Sequence, residues 1–126
     1  MPSYCTNPEV FLPGTLVVQG VSYDADPGLG AGIAEWEGLA DWPVVLLVDN
    51  TSEATLNLQE FLWTFFTRFE PAADIHGAKS AVVRFHVGLQ PPIVFDCRMK
   101  PGYPEVMVVD DQTRELVDRR WNEYGL

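Results

Sequence analysis

Pro43 opens the run PVVLLVDN, in which residues 44–48 are all Val or Leu and residues 49 and 50 are Asp and Asn. A β-branched and leucine run without polar alternation has to be covered on both faces, so it reads as a central strand of an α/β protein. A chain of 126 residues supports one core of this kind but not two, and residues 1–126 are therefore expected to form a single domain.

The flanking sequence supplies the other layers. Leu16, Val17 and Val18, followed by Gly20 and Val21, read as a second strand that leaves through SYDADPG, a turn rich in Asp, Pro and Gly. Residues 29–39, LGAGIAEWEGL, carry a weak helical period in Leu29, Ile33, Trp36 and Leu39. After the central strand, Thr51 or Ser52 can cap a helix whose regular part is predicted at residues 55–69, with Pro71 ending it. AVVRFHV (81–87) and IVFDC (93–97) read as strands separated by a turn at 88–92, with Val83, Phe85 and Val87 alternating against Arg84 and His86. A last helix is predicted at 111–124. Asp110 and Asp111 lie at its positive end, and Thr113, Leu116, Val117, Arg120 and Tyr124 share one face. The order β-α-β-α-β-β-α predicts a layered α/β domain with a small mixed sheet.

Charge narrows the function classes. Residues 1–67 hold nine acids and no Lys or Arg, whereas residues 68–126 hold nine acids against eight bases. Such a surface repels nucleic acid and suits either solubility or a basic partner. No apolar run approaches the roughly 20 residues of a membrane span, and MPSYCTNPEV has no basic start followed by an apolar stretch; a cytoplasmic protein without membrane contact is expected. Cys5 and Cys97, far apart and outside any CxxC, read as reduced thiols.

Catalytic motifs are weak. GLGAG at 28–32 resembles the start of a dinucleotide loop, but Ile33 stands where the third glycine belongs, and a loop turn built of small residues is the better account. His76, beside Gly77, reads as a turn residue and His86 as a surface position on its strand. Neither they nor Asp74, Asp96 and Cys97 have metal-ligand spacing, and no GxSxG elbow is present. The strongest local signal is FLWTFFTRFEPAADIHG (61–77). Phe61, Leu62, Phe65 and Phe69 follow one helical face while Trp63 and Phe66 point elsewhere, so the helix is apolar on two sides. A second apolar side is either buried within the domain or reserved for a partner.

These residues resemble a family. VVLLVDN followed by LQEFLWTFFTRFEPAADI is similar to the final domain of the UbiD family of prenylated-flavin-dependent decarboxylases. The corresponding features are the strand at 44–49, the pair Leu62-Trp63, and a Thr-Arg-x-x-Pro-x-x-Asp segment at Thr67, Arg68, Pro71 and Asp74. IVFDCRMKPGYPE resembles the family's strand with Asp before a lysine-proline segment, RELVDRRWNEYGL its terminal helix, and TLVVQGVSYDADPGLGAGIAEW, more weakly, the segment leading in. The resemblance covers nearly the whole chain but only the last third or so of such an enzyme. It implies a stand-alone, non-catalytic small subunit that completes and assembles a UbiD-like large catalytic subunit. The prenylated FMN, a divalent metal and the proton-transferring groups are then expected in that partner and none in this chain. The excursion between Asp74 and Ile93 is short for the family, and no lysine precedes Lys79, so no residue is assigned to the flavin.

On this reading Trp63 and Phe66 are interface anchors, Arg68 and Asp74 fix the helix-to-strand corner, with Arg68 reaching helix carbonyls or pairing with Asp74, and the isolated chain can self-associate. Two alternatives stand beside it. One is a maturation protein delivering the cofactor, whose phosphate site would have to use Arg68, Lys79, Arg98 and Lys100. The other is a homo-oligomeric interaction module without an enzyme partner.

Overall fold

The PVVLLVDN run is the middle strand of a five-stranded mixed sheet. The structure, a computed structural model, describes residues 5–102 together with Gln112, Glu115, Leu116, Arg119 and Arg120. The strands are β1 (Thr6–Leu12), β2 (Thr15–Gln19), β3 (Val44–Val48), β4 (Ile75–Val83) and β5 (His86–Asp96), in the spatial order β1-β2-β3-β5-β4. β3 runs parallel to β2 and to β5, with Leu46 opposite Val17 on one side and Phe95 on the other. The outer pairs, β1 with β2 and β4 with β5, are antiparallel.

Strand alternation sorts the apolar residues onto two faces. Leu16, Val18, Val45, Leu47 and Val94 lie beneath Leu29 and Ile33 of α1 (Leu29–Ala34) and Leu39 of the 3-10 turn Glu37–Leu39. On the opposite face Val17, Leu46 and Val48 meet Phe61 of α3 (Leu58–Thr67), with Phe11, Phe65, Phe69 and Phe95 around them. Phe61 stacks on Phe11 at 4.6 Å between ring centroids, and Phe65 meets Phe95 edge to face at 5.0 Å. Offset and edge-to-face ring pairs of this kind each add about 1 kcal/mol beyond area burial. The layered α/β architecture predicted from the sequence is the one observed.

Several boundaries differ. The sequence pattern does not announce β1, because Pro8 argues against a strand; it forms at the sheet edge, where a missing N–H is tolerated. Where the sequence predicts one helix, capped at Thr51 or Ser52 with its regular part at 55–69, two form: α2 (Thr51–Ala54), ahead of that range, and α3, within it. Asn50 caps the first by accepting from Glu53 N at 3.0 Å, and Asn57 caps the second by accepting from Glu60 N at 2.8 Å. The caps are thus asparagines rather than Thr51 or Ser52, because each amide oxygen reaches the free N–H three residues on. Leu62, expected inward, is 41 % exposed: the buried line of α3 runs through Phe61 and Thr64, and one residue is about 100° of rotation.

The hairpin between β4 and β5 turns at Arg84 (φ 50°) and Phe85 (φ 66°), not at 88–92. Two consecutive left-handed residues are the geometry of a two-residue hairpin loop, which Arg and Phe do not announce. His76 lies in β4 rather than in a turn. In the terminal segment the five described positions have helical backbone; Thr113, Val117, Tyr124 and the rest of the predicted helix lie outside the described residues.

Candidate functional site

The carboxyl ends of β2, β3 and β5 meet at one edge of the sheet, where open α/β folds usually seat a ligand. Here the chain fills that edge with its own charges. The segment DCRMK, which begins on the last residue of β5, alternates, so Asp96, Arg98 and Lys100 point to one side and Cys97 to the other. Arg98 is fully buried and grips Asp96 with a fork: Nε donates to Oδ1 at 2.9 Å and Nη2 to Oδ2 at 2.8 Å. Its Nη1 donates to the carbonyls of Val21, Ser22 and Asp26 at 3.0, 3.3 and 2.9 Å. One guanidinium therefore ties the SYDADPG turn after β2 to the end of β5.

Lys100 extends the network. Its Nζ donates to the carbonyls of Arg68, at 2.7 Å, and of Asp96, and pairs with the Asp74 carboxylate at 3.3 Å. Tyr23 lays its ring near both cations, 5.3 Å from Arg98 Cζ and 5.8 Å from Lys100 Nζ. Asp49, just past β3, accepts from Met99 N at 2.8 Å and sits 3.9 Å from Arg68 Nη1.

The sequence-derived corner is therefore wired differently from the simplest expectation. Arg68 closes α3 and faces Asp49; it does not pair with Asp74. Asp74 instead accepts from Glu70 N at 2.8 Å and holds Lys100. The reason is reach: the residue after β3 projects toward the end of α3, while Asp74 turns toward Lys100 in the segment that follows β5. Sequence reasoning missed the Asp96–Arg98–Lys100 set. Its signal was the i, i+2, i+4 spacing of opposite charges directly after an apolar strand.

Gly30 shows what the small-residue segment is for. It lies within α1 rather than in a loop, and a Cβ there would come within 2.8 Å of His76 Cδ2. The glycine lets the helix close on β4. α1 has six residues and no side-chain cap. A shallow cleft of about 210 Å³ lies beside it, lined by Ala31, Glu35, His76 and Leu89 among others. No group of three potential metal ligands occurs among the described residues. Both cysteines are free and buried, on opposite faces of the sheet. Burial pushes the Cys97 thiol up to about 12, with Lys100 lowering it and Asp96 raising it by smaller amounts, which leaves it inert as a nucleophile at neutral pH. Burial likewise raises Cys5.

The second region of interest is the outer face of α3. Trp63 is 52 % and Phe66 67 % exposed, and Leu58 and Leu62 lie beside them. Phe66 meets Phe65 edge to face at 4.8 Å, but more than half of each of the Trp63 and Phe66 side chains is left in solvent. No helix among the described residues is long and apolar enough to cross a membrane.

No protein-family model matches the chain. It is similar to longer chlamydial proteins. An uncharacterized protein of Chlamydia trachomatis is 42 % identical over 86 residues, which are 68 % of this chain and 15 % of that one. An uncharacterized protein of Chlamydia caviae is 37 % identical over 123 residues, 94 % of this chain and 20 % of that one. A protein of Chlamydia pneumoniae, named as a subunit of 4-hydroxybenzoate decarboxylase, is 38 % identical over 86 residues, again 68 % and 15 %. The chain thus spans 15–20 % of the length of these relatives.

Proposed function

We propose that this chain is a non-catalytic assembly module of a UbiD-like prenylated-flavin-dependent decarboxylase or carboxylase of aromatic or other unsaturated carboxylic acids. In this reading it acts as a small subunit beside a large catalytic chain. The observation that carries the reading is the 38 % identity to a protein named as a decarboxylase subunit. The filled edge of the sheet supports it: Arg98 and Lys100, the cations nearest the carboxyl ends of the parallel strands, already serve Asp96, Asp74 and backbone carbonyls. A flavin phosphate would have to displace those partners. These residues therefore do not fit the cofactor, and prenylated FMN and the divalent metal belong in this reading to the catalytic chain. The same saturation weighs against a cofactor-delivery protein, whose phosphate site, expected at Arg68, Lys79, Arg98 and Lys100, would need Arg68, Arg98 and Lys100 to leave their present partners.

Within the proposed complex Trp63 and Phe66 are the anchors. Aromatic residues that leave solvent on association carry a disproportionate share of binding energy. Arg68 and Asp74, with Asp49 and Lys100, hold the end of α3 against the sheet and so present that face in a fixed orientation. The experiment is co-expression with a flavin-binding UbiD-like large chain, followed by size-exclusion chromatography and assay of CO₂ release from 4-hydroxybenzoate. Co-elution is expected, with turnover that falls when this chain is omitted and no turnover by this chain alone, even with prenylated FMN and metal added. Turnover by the single chain, or failure to co-elute, would overturn the proposal.

A further inference from the structure

The β4–β5 hairpin is the part of the sheet with the least support from its own chain. β5 has β3 as a neighbour only over residues 93–96, while residues 86–90 of β5 pair with β4 alone. A two-stranded ribbon gains little stability from its own pairing in water. At its tip Phe85 is 101 % exposed and packs on none of the described residues; Val82 is 73 % exposed. Between residues 75 and 95 the charged side chains are Lys79 and Arg84, with His76 and His86 and no acid. This is an apolar tip on a cationic arm.

The outer face of α3 has the opposite character. Leu58, Leu62, Trp63 and Phe66 are exposed, and the exposed charges along and beside the helix are Glu53, Glu60 and Glu70. Residues 1–67 contain no Lys or Arg, and Arg68 faces Asp49. An apolar face with an acidic rim repels most of the chain's own surface. Two exposed elements among the described residues offer an apolar side chain and positive charge together: the arm, and the terminal positions Leu116, Arg119 and Arg120. At the latter Glu115 is exposed as well and Leu116 is 39 % exposed against 101 % for Phe85, so the acid-free arm is the better complement. Charge complementarity selects partners and orientation where apolar area alone does not.

We infer that two copies of this chain dock reciprocally. The Arg84–Phe85 tip of each sits on Leu62, Trp63 and Phe66 of the other, with Arg84 between Glu60 and Glu70. The same two patches used twice make a closed two-fold contact rather than an open chain. This deepens the assembly reading above and rests on it: the contact that α3 supplies joins two modules, and through them two catalytic chains.

The test is sedimentation velocity of the full chain over a concentration series at low and high salt. A dimer is expected that weakens as salt screens the pairing. Phe85→Asp, which keeps a residue tolerant of the left-handed turn, and separately Arg84→Glu, should each weaken dimerisation on the order of tenfold or more. Glu60→Lys with Glu70→Lys should do the same from the other side. Circular dichroism and thermal melting of each variant control for folding. An arm variant mixed with the face variant should form a heterodimer more tightly than either variant pairs with itself, because one of the two contacts is rebuilt. A chain that is monomeric at every concentration, or a dimer indifferent to all of these changes, overturns reciprocal docking. If that monomer still co-elutes with a catalytic chain, the assembly reading stands without it; if it does not, both fall.

Discussion

The carboxyl edge of the sheet and the outer face of α3 invert the usual allocation of side chains. At the sheet edge a guanidinium and two carboxylates are buried, and each is answered within the chain: Arg98 by Asp96 and three carbonyls, Asp74 by Lys100 and Glu70 N. On α3 a tryptophan and a phenylalanine stand more than half exposed a few residues from that network. Charge holds the fold inward, and apolar surface is left outward. Buried charge without a partner is far more costly than exposed apolar area, so the first region has no freedom to bind anything else, while the second loses little stability by waiting for a partner. On the proposed reading, recognition belongs to the helix and rigidity to the sheet edge.

The sharpest way to break that contrast is Asp96→Ala. It leaves Arg98 buried without its counter-charge, and breaking a buried pair from one side typically costs about 3–5 kcal/mol. The midpoint of urea denaturation should fall accordingly, and the melting temperature with it. A loss below about 1 kcal/mol would place the pair in the class of exposed ion pairs and dissolve the distinction between the two regions.

Cys97, on the opposite side of the strand extension from Asp96 and Arg98, tests the same rigidity by pH. Its folded pKa is raised from 9.0 to about 12, so between those values the native protein keeps a proton that the unfolded chain has released. The associated stability is intact below pH 9 and is lost as pH rises toward 12, by up to about 4 kcal/mol. The stability gap between the wild type and Cys97→Ala, measured by urea denaturation, should therefore narrow over that range. A constant gap would mean that the thiol reaches solvent in the native state.

The two regions were unequally legible in the sequence. β3 was readable because five consecutive apolar residues leave no alternative to burial on both faces, and the two-sided grease of α3 was visible in the spacing of Trp63 and Phe66. The hairpin turn was not, because Arg84 and Phe85 occupy left-handed positions that residues of their type rarely signal, while the stronger glycine and proline cue lay at 88–92 inside β5. The charge network was half legible. Asp74 and Arg68 read as a corner, but which acid meets which base depends on how β3, β4 and β5 are juxtaposed. Sequence spacing does not encode that order, and it pairs Arg68 with the wrong carboxylate.

Arg68 sharpens the comparison because it joins the two regions. A wholly buried pair there would have cost several kcal/mol to break, but its distance to Asp49 is 3.9 Å and the side chains keep 14 % and 31 % exposure. Partial solvation reduces such a pair to about 1 kcal/mol or less, with a further few tenths from the helix terminus. Arg68→Ala should lower stability by about 1 kcal/mol in denaturant titration, several times less than Asp96→Ala. An equal loss in the two variants would make the corner a second buried centre.

The smallest effect on the fold, and the largest on association, belongs to Trp63. Its ring covers none of the core formed by Phe61, Phe65, Phe69 and Phe95, and with half its surface in water it has little burial to lose. Surface substitutions of this kind usually shift stability by about 0.5 kcal/mol or less. Trp63→Ser should accordingly melt close to the wild type. Yet the same residue lies in the exposed apolar patch with Phe66, so the variant should bind less hydrophobic dye and associate more weakly; interface aromatics commonly contribute about 2 kcal/mol or more when they are removed from a contact. Opposite movement of the two measurements, little in melting and much in association, is the signature of a residue kept for a partner. If Trp63→Ser instead unfolded the domain while leaving dye binding unchanged, the ring would belong to the core, and the outer face of α3 would lose its claim to recognition.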